Sequence, residues 1–173
     1  MFDAILENRI ADGSLAGKHL TFTLGQEFYC IAVLKVREII RFTRIATVPG
    51  MAAHICGVVN LRGKIIPVMD LRLRLGVPCA EATVLSSIMV VQIQPLVGKS
   101  SPIGMVVDSM EEVVNIGAAD LEPAPEVGTA ISTECILGIA RIKGVVKTLL
   151  DIDGIAAGSL RSPTSPAALL LAA

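Results

Sequence analysis

Residues 57–72, GVVNLRGKIIPVMDLR, return in altered form as residues 138–153, GIARIKGVVKTLLDID, and this repetition constrains the fold more than any other feature. At a constant spacing of 81 positions Gly57 meets Gly138, Arg62 meets Lys143, Gly63 meets Gly144, Ile65 meets Val146 and Asp70 meets Asp151. Each copy reads as an apolar strand, a tight turn in which Gly supplies a permissive backbone, and a second apolar strand ended by Asp. An earlier pair agrees with it. YCIAVLKVREII (29–40) aligns without gaps on IGMVVDSMEEVV (103–114), so that Val36 meets Met110, Glu38 meets Glu112 and Ile39 meets Val113. A strand pattern precedes each, HLTFTL (19–24) and SIMVVQI (87–93), and a Pro-bearing stretch follows each. Any two hairpins look alike, but two blocks repeated in the same order need a duplication.

Short apolar runs between Gly, Pro and Asn/Asp, with little sustained helical period, predict an all-β fold. A half of about 65 residues is marginal alone. Two such halves, about 18–85 and 86–156, can close into small barrels, removing sheet edges and burying a further apolar layer between them, with strands free to cross between halves. Pro67 inside an apolar strand predicts an edge, a bulge or a bend at a barrel corner. Residues 1–17 form an extension in which Phe2, Ile5, Leu6 and Ile10 share one helical face and Gly13 is the stop. Residues 157–173 have no counterpart in the repeat and read as a flexible tail.

Composition narrows the function. The chain of 173 residues is 53% hydrophobic and 18% charged, and it has no Trp, so it can bury a sizeable aliphatic core. No apolar run reaches the roughly 18 to 20 residues that span a bilayer, and the N-terminus does not read as a secretory signal; a cytoplasmic protein without membrane insertion is expected. The net charge of −1 gives no reason to expect nucleic acid. Its distribution is uneven: residues 18–76 balance at +6 and residues 77–173 at −5, which suits two differently charged faces.

Sites for chemistry are missing from the pattern. Cys30, Cys56, Cys79 and Cys135 are far apart in sequence, with only His19 and His54 to help them, which argues against zinc; their apolar neighbours predict buried thiols. GKS (98–100) lacks the earlier Gly of a phosphate loop, and Pro102 stands where a helix would begin. Asp151 and Asp153 lack a third ligand and read as a solvated strand end. Glu111 and Glu112 are adjacent and face opposite sides of a strand. An enzyme, a cofactor and a metal are therefore not expected, and the chain reads as a binding protein. A ligand-binding β-barrel is the alternative from another class.

With those residues in view the chain resembles the CheW family, the adaptor of bacterial chemotaxis, over roughly residues 18–156. FTLGQEFYCIAVLKVREIIR, VPGMAAHICGVVNLRGKIIPVMDLR, IGMVVDSMEEVVNI and APEVGTAISTECILGIARIKGVVKTLLDID carry the resemblance, in that order. It implies two five-stranded SH3-like barrels, no catalysis and no cofactor. It also implies joint binding of the chemoreceptor signalling tip and of the regulatory domain of a CheA-type histidine kinase, in arrays at the membrane; service in a different chemosensory pathway is the nearest alternative. Within the resemblance Val36, Glu38, Ile39, Arg62 and Gly63 match the region needed for coupling. A guanidinium at the turn either holds Glu38 or reaches an acidic partner, with Val36 and Ile39 as apolar contact or barrel core. Lys143 keeps the charge but not the fork, so the role is not extended to the second turn.

Overall fold

The computed structural model describes residues 2–95, 98–125 and 135–160. Helix α1 (Phe2–Ala11) is followed by strands β1 (Gly17–Leu24) and β2 (Glu27–Ala32), a single helical turn (Val33–Lys35), and β3 (Val36–Arg41). The first repeated hairpin is β4 (Ile55–Leu61) and β5 (Lys64–Asp70), capped by the short α2 (Leu71–Leu75). Then come β6 (Ser87–Ile93), β7 (Ser101–Val107), β8 (Ser109–Ile116), a two-residue β9 (Leu121–Glu122), the second repeated hairpin β10 (Ile136–Ile142) and β11 (Val145–Leu150), and α3 (Ile152–Leu160).

The strands form two sheets ordered β3-β6-β7-β5-β4 and β8-β1-β2-β11-β10-β9, the first and second barrels. The two orders correspond strand for strand, with β9 as an addition. Each barrel takes its β4- or β10-type hairpin from one half of the chain and its β6–β7 or β1–β2 hairpin from the other. The connections explain the exchange. Only Asp108 separates β7 from β8, too short to reverse the chain, and the three residues between β2 and β3 wind into a helical turn instead of a hairpin. The chain therefore runs on into the neighbouring barrel.

Three apolar clusters follow from this arrangement. Val59, Ile66, Val68, Ile88, Val90 and Val106 fill the first barrel. Cys30, Val114, Ile116, Leu121, Ala140 and Leu149 fill the second, with Ile10 and Leu15 of the N-terminal segment closing it. Between the barrels lies the largest layer, in which Phe22 stacks on Tyr29 at 6.0 Å against Met69, Met89 and Met105. The extension is thus part of the packed molecule, although Ile5 on the expected apolar face is 56% exposed.

Several expectations are corrected here. Cys79 is exposed, because it follows Pro78 in the loop after α2 rather than a strand; Cys30 and Cys135 are buried, and burial pushes the Cys30 thiol up to about 12. Asp151 and Asp153 do not end a strand side by side. The ladder stops at Leu150, Asp151 accepts from the Gly154 N–H at 3.1 Å, and Asp153 lies in α3, ion-paired to Lys35 at 2.6 Å. Pro67 is on an inner strand, at the point where β5 has not yet begun to pair with β7. Helix α3 continues to Leu160, four residues into the expected tail, whose remainder lies outside the described residues.

Both histidines are disfavoured as cations. His19 is 3% exposed with its Nδ1–H donated to the Gly17 carbonyl at 2.9 Å, and burial holds its pKa below the ordinary 6.5. Burial, with Arg74 nearby, lowers His54 as well. Above 6.5 both rings are neutral whether the chain is folded or not. Below 6.5 the unfolded chain takes up protons that the folded one resists, so stability falls with pH from there downward. Urea unfolding is expected to show a lower midpoint at pH 5.5 than at pH 7.5, with a smaller difference in His19→Gln.

Candidate protein-binding site

The turn between β4 and β5 consists of Arg62 and Gly63, with φ of 51° and 82°. Positive φ at both central residues is the two-residue turn whose twist matches a hairpin. Gly63 adopts it freely, whereas Arg62 accepts a left-handed backbone at a cost of about 1 kcal/mol. The Asn60 side chain steadies the turn, its Oδ1 accepting from the Gly63 N–H at 2.9 Å.

From there Arg62 reaches Glu38 on β3. Nη2 donates to Oε2 at 2.7 Å and Nη1 to Oε1 at 3.3 Å, a fork on a carboxylate. Strands β3 and β4 are the two edges of the first sheet, so this ion pair spans the seam of that barrel. Arg62 is 78% exposed and Glu38 23%, so the pair is worth about 1 kcal/mol at most.

The second barrel repeats the device in weaker form. Lys143 and Gly144 have φ of 50° and 78°, and Lys143 Nζ stands 3.9 Å from Glu112, on the edge strand β8. The pairing of Arg62 with Glu38 is thus a duplicated seam contact, and the fork is particular to the first barrel.

Strand β3 separates the remaining candidates. Val36, Glu38 and Ile40 are half-buried while Arg37, Ile39 and Arg41 point out. Val36 packs against the layer between the barrels, and Ile39 is 44% exposed. The structure therefore brings Glu38, Arg62 and Gly63 together, leaves Ile39 open on the outer face of the same strand, and places Val36 on the other. Sequence reasoning did not single out Arg37 or Lys64, which line a cavity of about 690 Å³ at the barrel mouth with Glu38 and Arg62. Nor did it single out Leu34, 97% exposed in the connection between barrels. Alternation along β3 and β5 was the available signal for the first two.

A second cavity, of about 550 Å³, lies where the barrels join, walled by Leu15, Val33, Leu34, Leu150 and Ile152 and rimmed by Arg9 and Lys18. Among the described residues no three His, Cys, Asp or Glu side chains gather as a metal site, and no helix is long and apolar enough to cross a membrane.

Comparison with known proteins agrees with this architecture. The family model for the CheW-like domain matches residues 18–159. A chemotaxis protein CheW of Rhizobium meliloti (strain 1021) is 31% identical over 148 residues, 81% of this chain and 92% of the relative. One from Klebsiella aerogenes is 33% identical over 149 residues, 84% of this chain and 85% of the relative. The crystal structure of the scaffolding protein TtCheW from Thermoanaerobacter tengcongensis superposes with a TM-score of 0.74 at 29% identity, covering 87% of this chain and 96% of that one. Two barrels with exchanged hairpins, a duplicated seam contact and a family match over nearly the whole packed region lead to one conclusion: this chain belongs to the CheW family and is a chemotaxis adaptor.

Proposed function

We propose that the protein couples the signalling tips of chemoreceptors to the regulatory domain of a CheA-type histidine kinase, acting by positioning rather than by catalysis and without a cofactor. It works in the cytoplasm and reaches membrane-associated arrays through the receptors it binds. The observation that carries this reading is the fixed, exposed turn at Arg62 and Gly63, held by Glu38 on the strand that also presents Ile39 to solvent. An exposed guanidinium at the turn and an open isoleucine on the strand it is tied to offer a charged and an apolar contact at once. The cavity between the barrels, with Leu34 at its lip, suits the apolar face of a receptor helix. Val36 supports β3 from behind, and Gly63 allows the turn that aims Arg62.

Calorimetric titration into the kinase regulatory domain and into a receptor-tip fragment from the same source tests this. Wild type is expected to bind both saturably. Arg62→Ala is expected to lose about ten-fold in affinity for at least one of them, with Arg62→Lys between the two, as for one charged anchor among modest contacts. Its unfolding free energy should change by about 1 kcal/mol or less, because the seam pair is exposed. Binding by wild type to neither partner defeats the proposal.

A further inference from the structure

We propose that the mouth of the first barrel is an anion site that receives side-chain carboxylates from an acidic segment of a protein partner. The cavity there is lined by Arg37, Arg62 and Lys64, with Glu38, Gln92 and Ser100 completing the polar wall. Among the described residues Glu38 is the one carboxylate in this lining, and it is engaged by Arg62. Arg37 and Lys64 are in no ion pair among the described residues.

A hydrogen-bond chain sets the donors outward. Arg37 Nε donates to Gln92 Oε1 at 2.8 Å, and Gln92 Nε2 donates to Ser100 Oγ at 2.5 Å. Ser100 already accepts, so its hydroxyl proton is available to give away. The guanidinium of Arg37 has its terminal nitrogens left, and Lys64 has three N–H bonds. The wall is therefore rich in donors, with its one carboxylate already used, and the ligand that satisfies it brings acceptors and negative charge.

The repeat shows that the fold does not require this. At the corresponding positions of the second barrel Arg37 becomes Glu111, Arg62 becomes Lys143 and Lys64 becomes Val145. There, too, Ile66 is replaced by Lys147, whose stem is buried and whose ammonium lies over the Phe28 ring at 5.6 Å. A barrel of this shape closes with one basic residue at its turn, so the other two in the first barrel answer to something else. They belong to a wider asymmetry: strands β3 to β7 and their connections carry eight Lys/Arg against three Asp/Glu. A concave mouth walled by side chains admits a protruding carboxylate, whereas a flat anionic membrane cannot enter it. An acidic protein segment is the occupant.

The test is a titration of the isotope-labelled full chain with tetraglutamate, followed by NMR at the Arg37 and Arg62 Nε–H groups and the Lys64 and Ser100 amides. Inorganic phosphate and vesicles of phosphatidylglycerol are parallel arms. Tetraglutamate is expected to shift these resonances saturably. The double variant Arg37→Glu, Lys64→Val, which imports the residues of the second barrel and spares the seam pair, should weaken binding at least about five-fold, and Lys18→Ala should leave it unchanged. If the double variant is misfolded by thermal unfolding, Lys64→Gln takes its place with an expected loss of about two-fold. Shifts spread over exposed cations generally, affinity indifferent to these variants, or a response to phosphate or vesicles but not to tetraglutamate each overturn the proposal. The outcome is independent of whether the kinase domain or a receptor tip binds.

Discussion

Gly57→Ala is expected to remove about 3 kcal/mol or more of stability, enough to leave the chain largely unfolded in mild denaturant. The φ of Gly57 is 149°, and a β-carbon there would stand 2.1 Å from the Ala46 carbonyl oxygen, with Ala46 C at 2.8 Å and Ile45 Cγ2 at 3.0 Å. The obstacle is backbone, so no side-chain rotation relieves it. To make room the segment through Ala46 must leave β4, breaking both the Ala46 N–H to Val58 carbonyl bond at 2.9 Å and its reciprocal at 2.8 Å. Each such bond contributes about 1 kcal/mol, and the strained dihedral adds to that. The repeat supplies an internal comparison. Gly138, at φ 158°, would bring a β-carbon 2.9 Å from the Glu122 carbonyl oxygen, a milder collision against the two-residue β9. Gly63 has nothing within 4 Å and is constrained by φ alone. Denaturant unfolding should therefore rank the alanine variants Gly57, then Gly138, then Gly63, with the last costing about 1 kcal/mol. Equal losses at Gly57 and Gly63 would show that the close approach of Ala46 is not what selects glycine.

The same glycines show how much of the molecule was readable in advance. Gly57 and Gly138 each sit at an irregularity of a hairpin where a third segment crosses, and Gly63 and Gly144 each follow a basic residue in a left-handed turn. Those demands are local, so each left the same residue at the same place in both halves, and the duplication, the all-β class and the hairpins could be read directly. Pairing between halves left no such trace. Alternation tells which face of β1 is apolar but not that both faces are covered, nor that β8 rather than β6 lies beside it; the shortness of the connection at Asp108 becomes informative only once β7 and β8 are known to be separate strands. Helix α2 is five residues long and α3 follows β11 after a single residue, so neither builds a period distinguishable from an apolar strand end. The candidate site divides in the same way. Arg62 and Glu38 were legible as candidates through the family resemblance, whose coupling region they match. Arg37 and Lys64 were not, because they meet only when the barrel closes β3 toward the β4–β5 turn.

Arg72→Ala is expected to cost about 3 kcal/mol, through the joint between the barrels rather than through either barrel alone. The Arg72 side chain is 6% exposed, with Nε 3.4 Å from Asp70 and Nη1 3.2 Å from Asp108. Asp108 is the single residue linking β7 to β8, and its other oxygen accepts from the Gly25 N–H in the β1–β2 turn at 2.6 Å. One arginine thus ties the helix after β5 to the crossing strand and, through it, to the second barrel. Removing it leaves two carboxylates facing each other in a partly buried site, where their desolvation is no longer offset. The repeat reaches the same end with the charges reversed. Asp153, at the position corresponding to Arg72, binds Lys35 in the β2–β3 connection at 2.6 Å and accepts from the Gln94 N–H beyond β6 at 2.8 Å. Both members of that pair are 33% exposed, so Lys35→Ala should cost about 1 kcal/mol or less. The sign is reversed and the partner is shifted by one position, since Lys35 corresponds to Ser109, so the fold keeps a bridge at each crossing rather than one particular pair. A double-mutant cycle on Arg72→Ala and Asp108→Ala should give a coupling energy of about 1 to 2 kcal/mol, larger than the cycle on Lys35→Ala and Asp153→Ala. A coupling near zero for the first pair would place the cost of Arg72→Ala in lost packing of its stem. The apolar layer around Phe22, Tyr29 and Met105 would then be the main hold between the barrels.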